Sequence, residues 1–212
     1  MYEHLISLQN KLASKIILKK YTTPINYYAG IDVAFTKKYT VAAIVILDKN
    51  LNVCDVSKGI KKTTFPYIPG LLSFREFPAI YGAFKKLKIN PDIFIIDGQG
   101  IAHPRRFGIA THIGVVLNVV TIGCAKSKLY GIYNEPANKK FSFNYLFNDK
   151  NSPIGLVVRT RENVKPVFIS PGNNIDLDSC LYIVRQSTIK YRLPEPIRFA
   201  HYYAEIFKKD IE

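Results

Sequence analysis

Apolar residues recur at helical spacing near the start of the chain, at Leu8, Leu12 and Ile16, with lysines between them, and Pro24 bars continuation. The spacing predicts an amphipathic helix over Leu5–Leu18. Tyr27–Phe35, Tyr39–Leu47 and Val53–Lys61 are short, β-rich segments joined by turn-like Thr-Lys-Lys and Asp-Lys-Asn-Leu, which predicts a three-stranded antiparallel meander. After Pro66–Gly70 helical spacing returns at Leu71, Leu72, Phe74, Ile80, Phe84 and Leu87, with Pro78 predicting a kinked or two-part helix. Ile93–Ile96 is continuously apolar and runs into Asp97-Gly98-Gln99-Gly100, the pattern of a strand buried on both faces at the sheet centre. Ile109–Val116 reads as a helix, and Val119–Ala125, Pro153–Arg161 and Val167–Ser170 as strands. Asp176 can cap the last long helix, Leu177–Ile189. Three strands followed by alternating helix and strand imply an α/β fold with a mixed sheet. No linker-like stretch or repeat divides residues 1–212, so one domain is expected.

Composition narrows the class. No apolar run approaches the roughly 18 residues of a membrane helix, and no signal-like segment opens the chain, so a soluble, cytoplasmic protein without a membrane partner is expected. Cys54, Cys124 and Cys180 are odd in number and lack metal-ligand spacing, so they read as buried small hydrophobes rather than disulfide or zinc residues. Thirty Lys and Arg against 16 Asp and Glu give a net charge of +14, which favours a polyanionic partner.

In so basic a chain the placement of the acids carries the chemistry. Asp32 lies inside the first strand, between apolar Ile31 and Val33, where a charge needs a reason. Asp97 ends another apolar strand at a Gly-x-Gly turn. If those strands are adjacent and parallel, the two carboxylates converge at one sheet edge and repel each other unless a cation intervenes. Glu76, on the helix after the meander, can add a third oxygen. Oxygen-only ligands suit Mg2+ or Mn2+ better than zinc. His103, in a loop with Arg105 and Arg106, can shuttle a proton or contact a phosphate. Lys126 follows another buried strand and can stabilise a phosphoryl transition state or leaving group. Pro66, Tyr67, Ile68 and Pro69 form a stiff turn that can drive an aromatic ring into a base stack, the alternative being a buried tyrosine corner.

Taken in order, these segments resemble endonuclease V, of the RNase H-like superfamily. The resemblance runs from Gln9-Asn10-Lys11-Leu12-Ala13 through Gly30-Ile31-Asp32-Val33, Pro66–Leu72, Phe74-Arg75-Glu76, Asp97-Gly98 and Ile101–Gly108. It continues through Thr121-Ile122-Gly123, Ala125-Lys126-Ser127, Arg159-Thr160-Arg161, Val164–Val167, Ser170-Pro171-Gly172 and Arg192–Pro196. It implies an RNase H-like fold, with a central five-stranded mixed sheet flanked by helices. It further implies a DNA-repair endonuclease that recognises hypoxanthine and hydrolyses the second phosphodiester bond 3′ to it, leaving a 3′-hydroxyl and a 5′-phosphate.

The same resemblance makes Asp32, Glu76 and Asp97 the ligands of Mg2+, with Mn2+ substituting. Around them it places His103, Lys126 and His201 as catalytic residues. It sets a base pocket near Gly70, Leu72, Gly98, Gly100 and Leu129, and Arg105 and Arg106 are the expected phosphate contacts. The expected partner is hypoxanthine-containing nucleic acid, DNA first, bound by a monomer. Gln99, Phe77, Asn118 and Val120 depart from the family pattern without removing a ligand. The competing readings are an inosine-specific endoribonuclease, another RNase H-like nuclease, and a non-catalytic nucleic-acid-binding module of the same fold.

Overall fold

The computed structural model describes residues 2–212. Its elements are α1 (Glu3–Ala13), β1 (Tyr27–Phe35), β2 (Tyr39–Asp48), β3 (Val53–Lys62), α2 (Leu72–Phe84), β4 (Ile93–Ile96), α3 (Ile109–Leu117) and β5 (Thr121–Ala125). They continue with β6 (Ser142–Phe147), β7 (Pro153–Arg159), β8 (Val167–Asn173), α4 (Leu177–Ser187) and α5 (Glu195–Lys209). All strands join one mixed sheet in the order β3-β2-β1-β4-β5-β8-β7-β6. The meander β1-β2-β3 is antiparallel, and β1, β4 and β5 run parallel. These five strands are the expected central sheet. The sheet has eight strands rather than five, because β8, β7 and β6 extend it antiparallel beyond β5.

Period-two alternation divides the core into two layers. Ala29, Ile31, Phe94 and Ile96 face α2 and α3, where Ala79, Ile80, Ala83, Ile109 and Ile113 meet them. Tyr28, Ile93, Ile95, Ile122 and Cys124 point the other way, toward Cys180, Ile183 and Val184 of α4 and Ile197 of α5. Covering both faces is why β4 reads as an unbroken apolar run: all four of its residues are buried, each aliphatic side chain contributing roughly 2 kcal/mol of burial. Asp176 caps α4, its side chain accepting the Ser179 amide at 2.9 Å.

Four expectations fail, for physical reasons. The inward face of α1 is not Leu8, Leu12, Ile16: Leu8 is 40% exposed, and the one buried residue of that helix is Gln9. Pro78 does not split α2, which runs unbroken from Leu72 to Phe84. Pro78 is exposed, so the helical carbonyl it leaves unpaired can be hydrated. Cys54 is exposed, while Cys124 and Cys180 are buried as expected. The last helix is α5, not α4. Pro194 and Pro196 look like terminators in sequence, yet they stand at the N-terminus of α5, where a missing N–H is harmless.

Candidate active site

The parallel pairing of β1 with β4 places Ile31 opposite Ile96, and the Asp97 amide donates to the Ile31 carbonyl at 3.1 Å. Asp32 and Asp97 therefore leave the sheet side by side, at the carboxyl ends of two neighbouring strands. Alternation turns Asp32 to the α5 face. Gly30 decides how closely that helix approaches, since a Cβ there would lie 1.8 Å from the Pro196 carbonyl oxygen. With α5 seated on bare backbone, His201 reaches Asp32, Nδ1 to Oδ2 at 2.7 Å, while the Val33 amide donates to Oδ1 at 2.8 Å. Lys126, just beyond β5, forms an ion pair with Asp97.

Charge binds the group together. Burial and the neighbouring Asp97 raise the Asp32 carboxyl above its usual range, only partly offset by the Val33 amide, His201 and Lys126. Glu76, on α2, is pushed up to about 8 by desolvation and then by Asp32 and Asp97, with Arg75 opposing. Burial works against the Lys126 charge, but the hydrogen bond and charge of Asp97, helped by Asp32, leave its ammonium held above the usual value.

Beside the carboxylates opens a cavity of about 420 Å3. Tyr67, Pro69, Gly70, Leu72, Asp97, Gly98, Gln99, His103, Lys126 and Leu129 are among its lining residues, and Asp32 reaches its edge. Tyr67 stands over it on an exposed turn and is itself 66% exposed, which excludes the buried tyrosine corner. Of the expected pocket residues Gly100 alone lies behind the wall, its amide spent on Ser170 Oγ at 2.8 Å. The Gln99 amide donates to the Ser127 carbonyl at 2.9 Å, and its Oε1 is a buried acceptor without a partner among the described residues.

The loop after β4 is arranged differently from expectation. His103 is buried, with Nε2 on the Gly70 carbonyl at 3.1 Å and Nδ1 accepting the Arg105 amide at 3.1 Å. Both ring nitrogens are engaged, and burial followed by the Arg105 charge drives the imidazole down to about 4. It is a neutral structural ring here rather than a free proton shuttle. Arg105 is also committed, to Gln9 Oε1 at 2.5 Å and to the Gly70 carbonyl at 2.8 Å, whereas Arg106 is exposed and open to a phosphate.

No three His, Cys, Asp or Glu side chains among the described residues already converge as an ion cage. Lys126 on Asp97 and His201 on Asp32 supply the local positive charge. The donor set still fits a hard divalent cation, because three carboxylates that raise one another's proton affinity gain most from a charge placed among them.

The Endonuclease V family model matches residues 10–202. The chain belongs to that family. It is thereby an endonuclease. It is 52% identical over 207 residues to the Endonuclease V of Thermosipho melanesiensis, covering 98% of this chain and 91% of that one. Its fold is similar to the crystal structure of Endonuclease V from Streptomyces avermitilis, at 36% identity and a TM-score of 0.93, over 99% of this chain and 94% of that one. It is also similar to the Ciona intestinalis Endonuclease V solved in complex with a 24mer DNA containing an inosine followed by a ribo-adenosine (28% identity, TM-score 0.87, 99% and 98% covered). These likenesses to Endonuclease V structures agree with the RNase H-like architecture expected from the sequence.

Two residues near the site escape pattern reading. Arg75 lies over the Phe35 ring at 4.5 Å with its Nε unpaired among the described residues, and Gln9 reaches the pocket loop from α1. The signal for Gln9 was its place between Leu5 and Leu12 on one helical face, a polar residue inside an apolar stripe.

Proposed function

We propose that the chain is a Mg2+-dependent endonuclease that nicks DNA at the second phosphodiester bond 3′ to hypoxanthine, leaving a 3′-hydroxyl and a 5′-phosphate. The observation that carries this reading is the meeting of Asp32, Asp97 and Glu76 at the edge of a closed-ended cavity overhung by an exposed Tyr67. The inosine-bearing DNA held by the Ciona relative supports the choice of substrate. The continuous sheet supports residues 1–212 working as one unit.

Tyr67, flanked by Pro66 and Pro69, fills the gap left by an extruded base, and its stacking offsets the cost of opening the duplex. The cavity takes the base, with main-chain groups of Gly70 and Gly98 and the free Gln99 Oε1 as its polar contacts. Asp32, Glu76 and Asp97 would hold the cation, which when bound neutralises phosphate charge and activates water. Asp32 fixes His201 with its proton on Nδ1, so Nε2 is free to take a proton from the attacking water. Lys126 stands where its ammonium can transfer from Asp97 to a phosphate oxygen, and Arg106 is placed to meet the backbone.

The test is nicking of one inosine-bearing duplex by the parent and by Asp97→Ala. Loss of at least about 1,000-fold in rate is expected, with binding in Ca2+ retained. Undiminished cleavage overturns the assignment. Matched inosine-bearing RNA in the same assay decides the second reading, an endoribonuclease, which the ribo-adenosine beside the inosine in the Ciona complex keeps open.

A further inference from the structure

Gln9 belongs to neither the carboxylate cluster nor the cavity lining, yet it is fully buried on a helix whose other residues are not. Its Nε2 donates to the Gly70 carbonyl at 2.9 Å and lies 3.4 Å from the Phe107 carbonyl, while its Oε1 accepts Arg105 Nε at 2.5 Å. The Gly70 carbonyl also receives Arg105 Nη2 at 2.8 Å and His103 Nε2 at 3.1 Å. Three donors on one oxygen saturate both of its lone pairs. Arg105 and His103 are joined in turn through the Arg105 amide, so the knot is closed.

What the knot holds is the hinge between turn and pocket. Gly70 has φ +78°, in the left-handed region, and a Cβ there would lie 2.7 Å from Arg105 Nη2. It directly follows Pro69, ends the turn carrying Tyr67, and lines the cavity. Phe65 at the near end of the same turn packs on Tyr2, just before α1, at a ring distance of 5.6 Å. Both ends of the turn are therefore tied to the leading helix or its N-cap.

We propose that Gln9 is a positioning residue for base capture: by holding the Gly70 carbonyl inward it fixes the turn that carries Tyr67 and the pocket wall below it. The proposal rests on reading the cavity as the base pocket. Gln9 touches no reacting atom, so its loss weakens productive capture of the base and leaves the chemical step intact.

The experiment compares the parent with Gln9→Met, which keeps side-chain volume and removes every hydrogen bond. For an inosine-bearing duplex, KM is expected to rise about tenfold with kcat within about twofold. On an inosine in single-stranded DNA, where no stack must be opened, the KM rise is expected to shrink to about threefold or less. Independently of substrate, chymotryptic scission at Tyr67–Ile68, followed by mass spectrometry, is expected to quicken about fivefold in the folded variant. A folded Gln9→Met with unchanged KM overturns the proposal, even if its melting temperature falls, because a merely structural glutamine would do that. Unchanged scission at Tyr67 likewise overturns it. If the parent itself fails to nick inosine, the proposed substrate fails, and faster scission in the variant still upholds the clamp on the turn.

Discussion

His112 lies among rings: stacked on Phe77 at 4.5 Å, edge-on to Phe74 at 5.1 Å and tilted against Phe107 at 5.2 Å, with its Nδ1 unpaired among the described residues. Burial holds it neutral, pushed down to about 4, as burial and Arg105 do for His103. Above pH 6.5 both histidines are neutral in folded and unfolded chains alike. Between pH 6.5 and about 4 the unfolded chain binds protons that the folded one refuses, so stability falls as pH falls through that window. The loss is about 1.4 kcal/mol per unit for each histidine. Urea unfolding at pH 7 and pH 4.5 should show His112→Phe losing about 2 to 3 kcal/mol less than the parent. An identical loss in both would place the acid sensitivity elsewhere. Glu76 has the opposite character, a group whose charge the folded chain resists. Without divalent metal at pH 7, Glu76→Gln is expected to gain about 2 kcal/mol, or roughly 4 to 8 °C in melting temperature, while losing nicking. A variant no more stable than the parent would mean the carboxylates are already neutralised by Lys126 and His201.

At the scale of elements, the closest contact that builds the site is α5 on Gly30. Gly30→Val must push α5 off β1, costing upwards of about 3 kcal/mol and separating His201 from Asp32, so activity and thermal stability should fall together. Full activity in a folded Gly30→Val protein would remove His201 from the mechanism. The ease with which elements are read from sequence follows how they are packed. β4 and the meander were legible because burial on a pleated sheet writes itself as apolar runs and alternation. The convergence of Asp32 and Asp97 was legible for the same reason, since two buried strands ending in acids have few other arrangements. α5 was not: its buried face is Ile197, Ala200 and Ala204, a stripe of mostly small residues that carries little periodic signal. β6 escaped because it is an edge strand whose Phe143 and Tyr145 remain partly exposed. The roles of His103 and Arg105 were misjudged because a loop's hydrogen bonds depend on a partner, Gln9, from a distant helix, which spacing cannot encode.

At the scale of the whole molecule, a net charge of +14 predicts binding dominated by phosphate contacts. If about six phosphates are engaged, affinity for an undamaged duplex should drop roughly 1,000-fold between 50 and 200 mM salt. Anisotropy titrations check this, and a flat salt dependence would contradict a nucleic-acid partner. Within that basic body the site is stitched from both flanks of the chain. α1 supplies Gln9 beneath the turn, and α5 supplies His201 against Asp32. During synthesis the strands bearing Asp32 and Asp97 leave the ribosome long before α5 does. A nascent or C-terminally clipped chain therefore has its carboxylates without the histidine that orients beside them. The order of translation thus acts as a safety catch: a strand-cutting enzyme gains its full machinery only when almost the last helix has folded home.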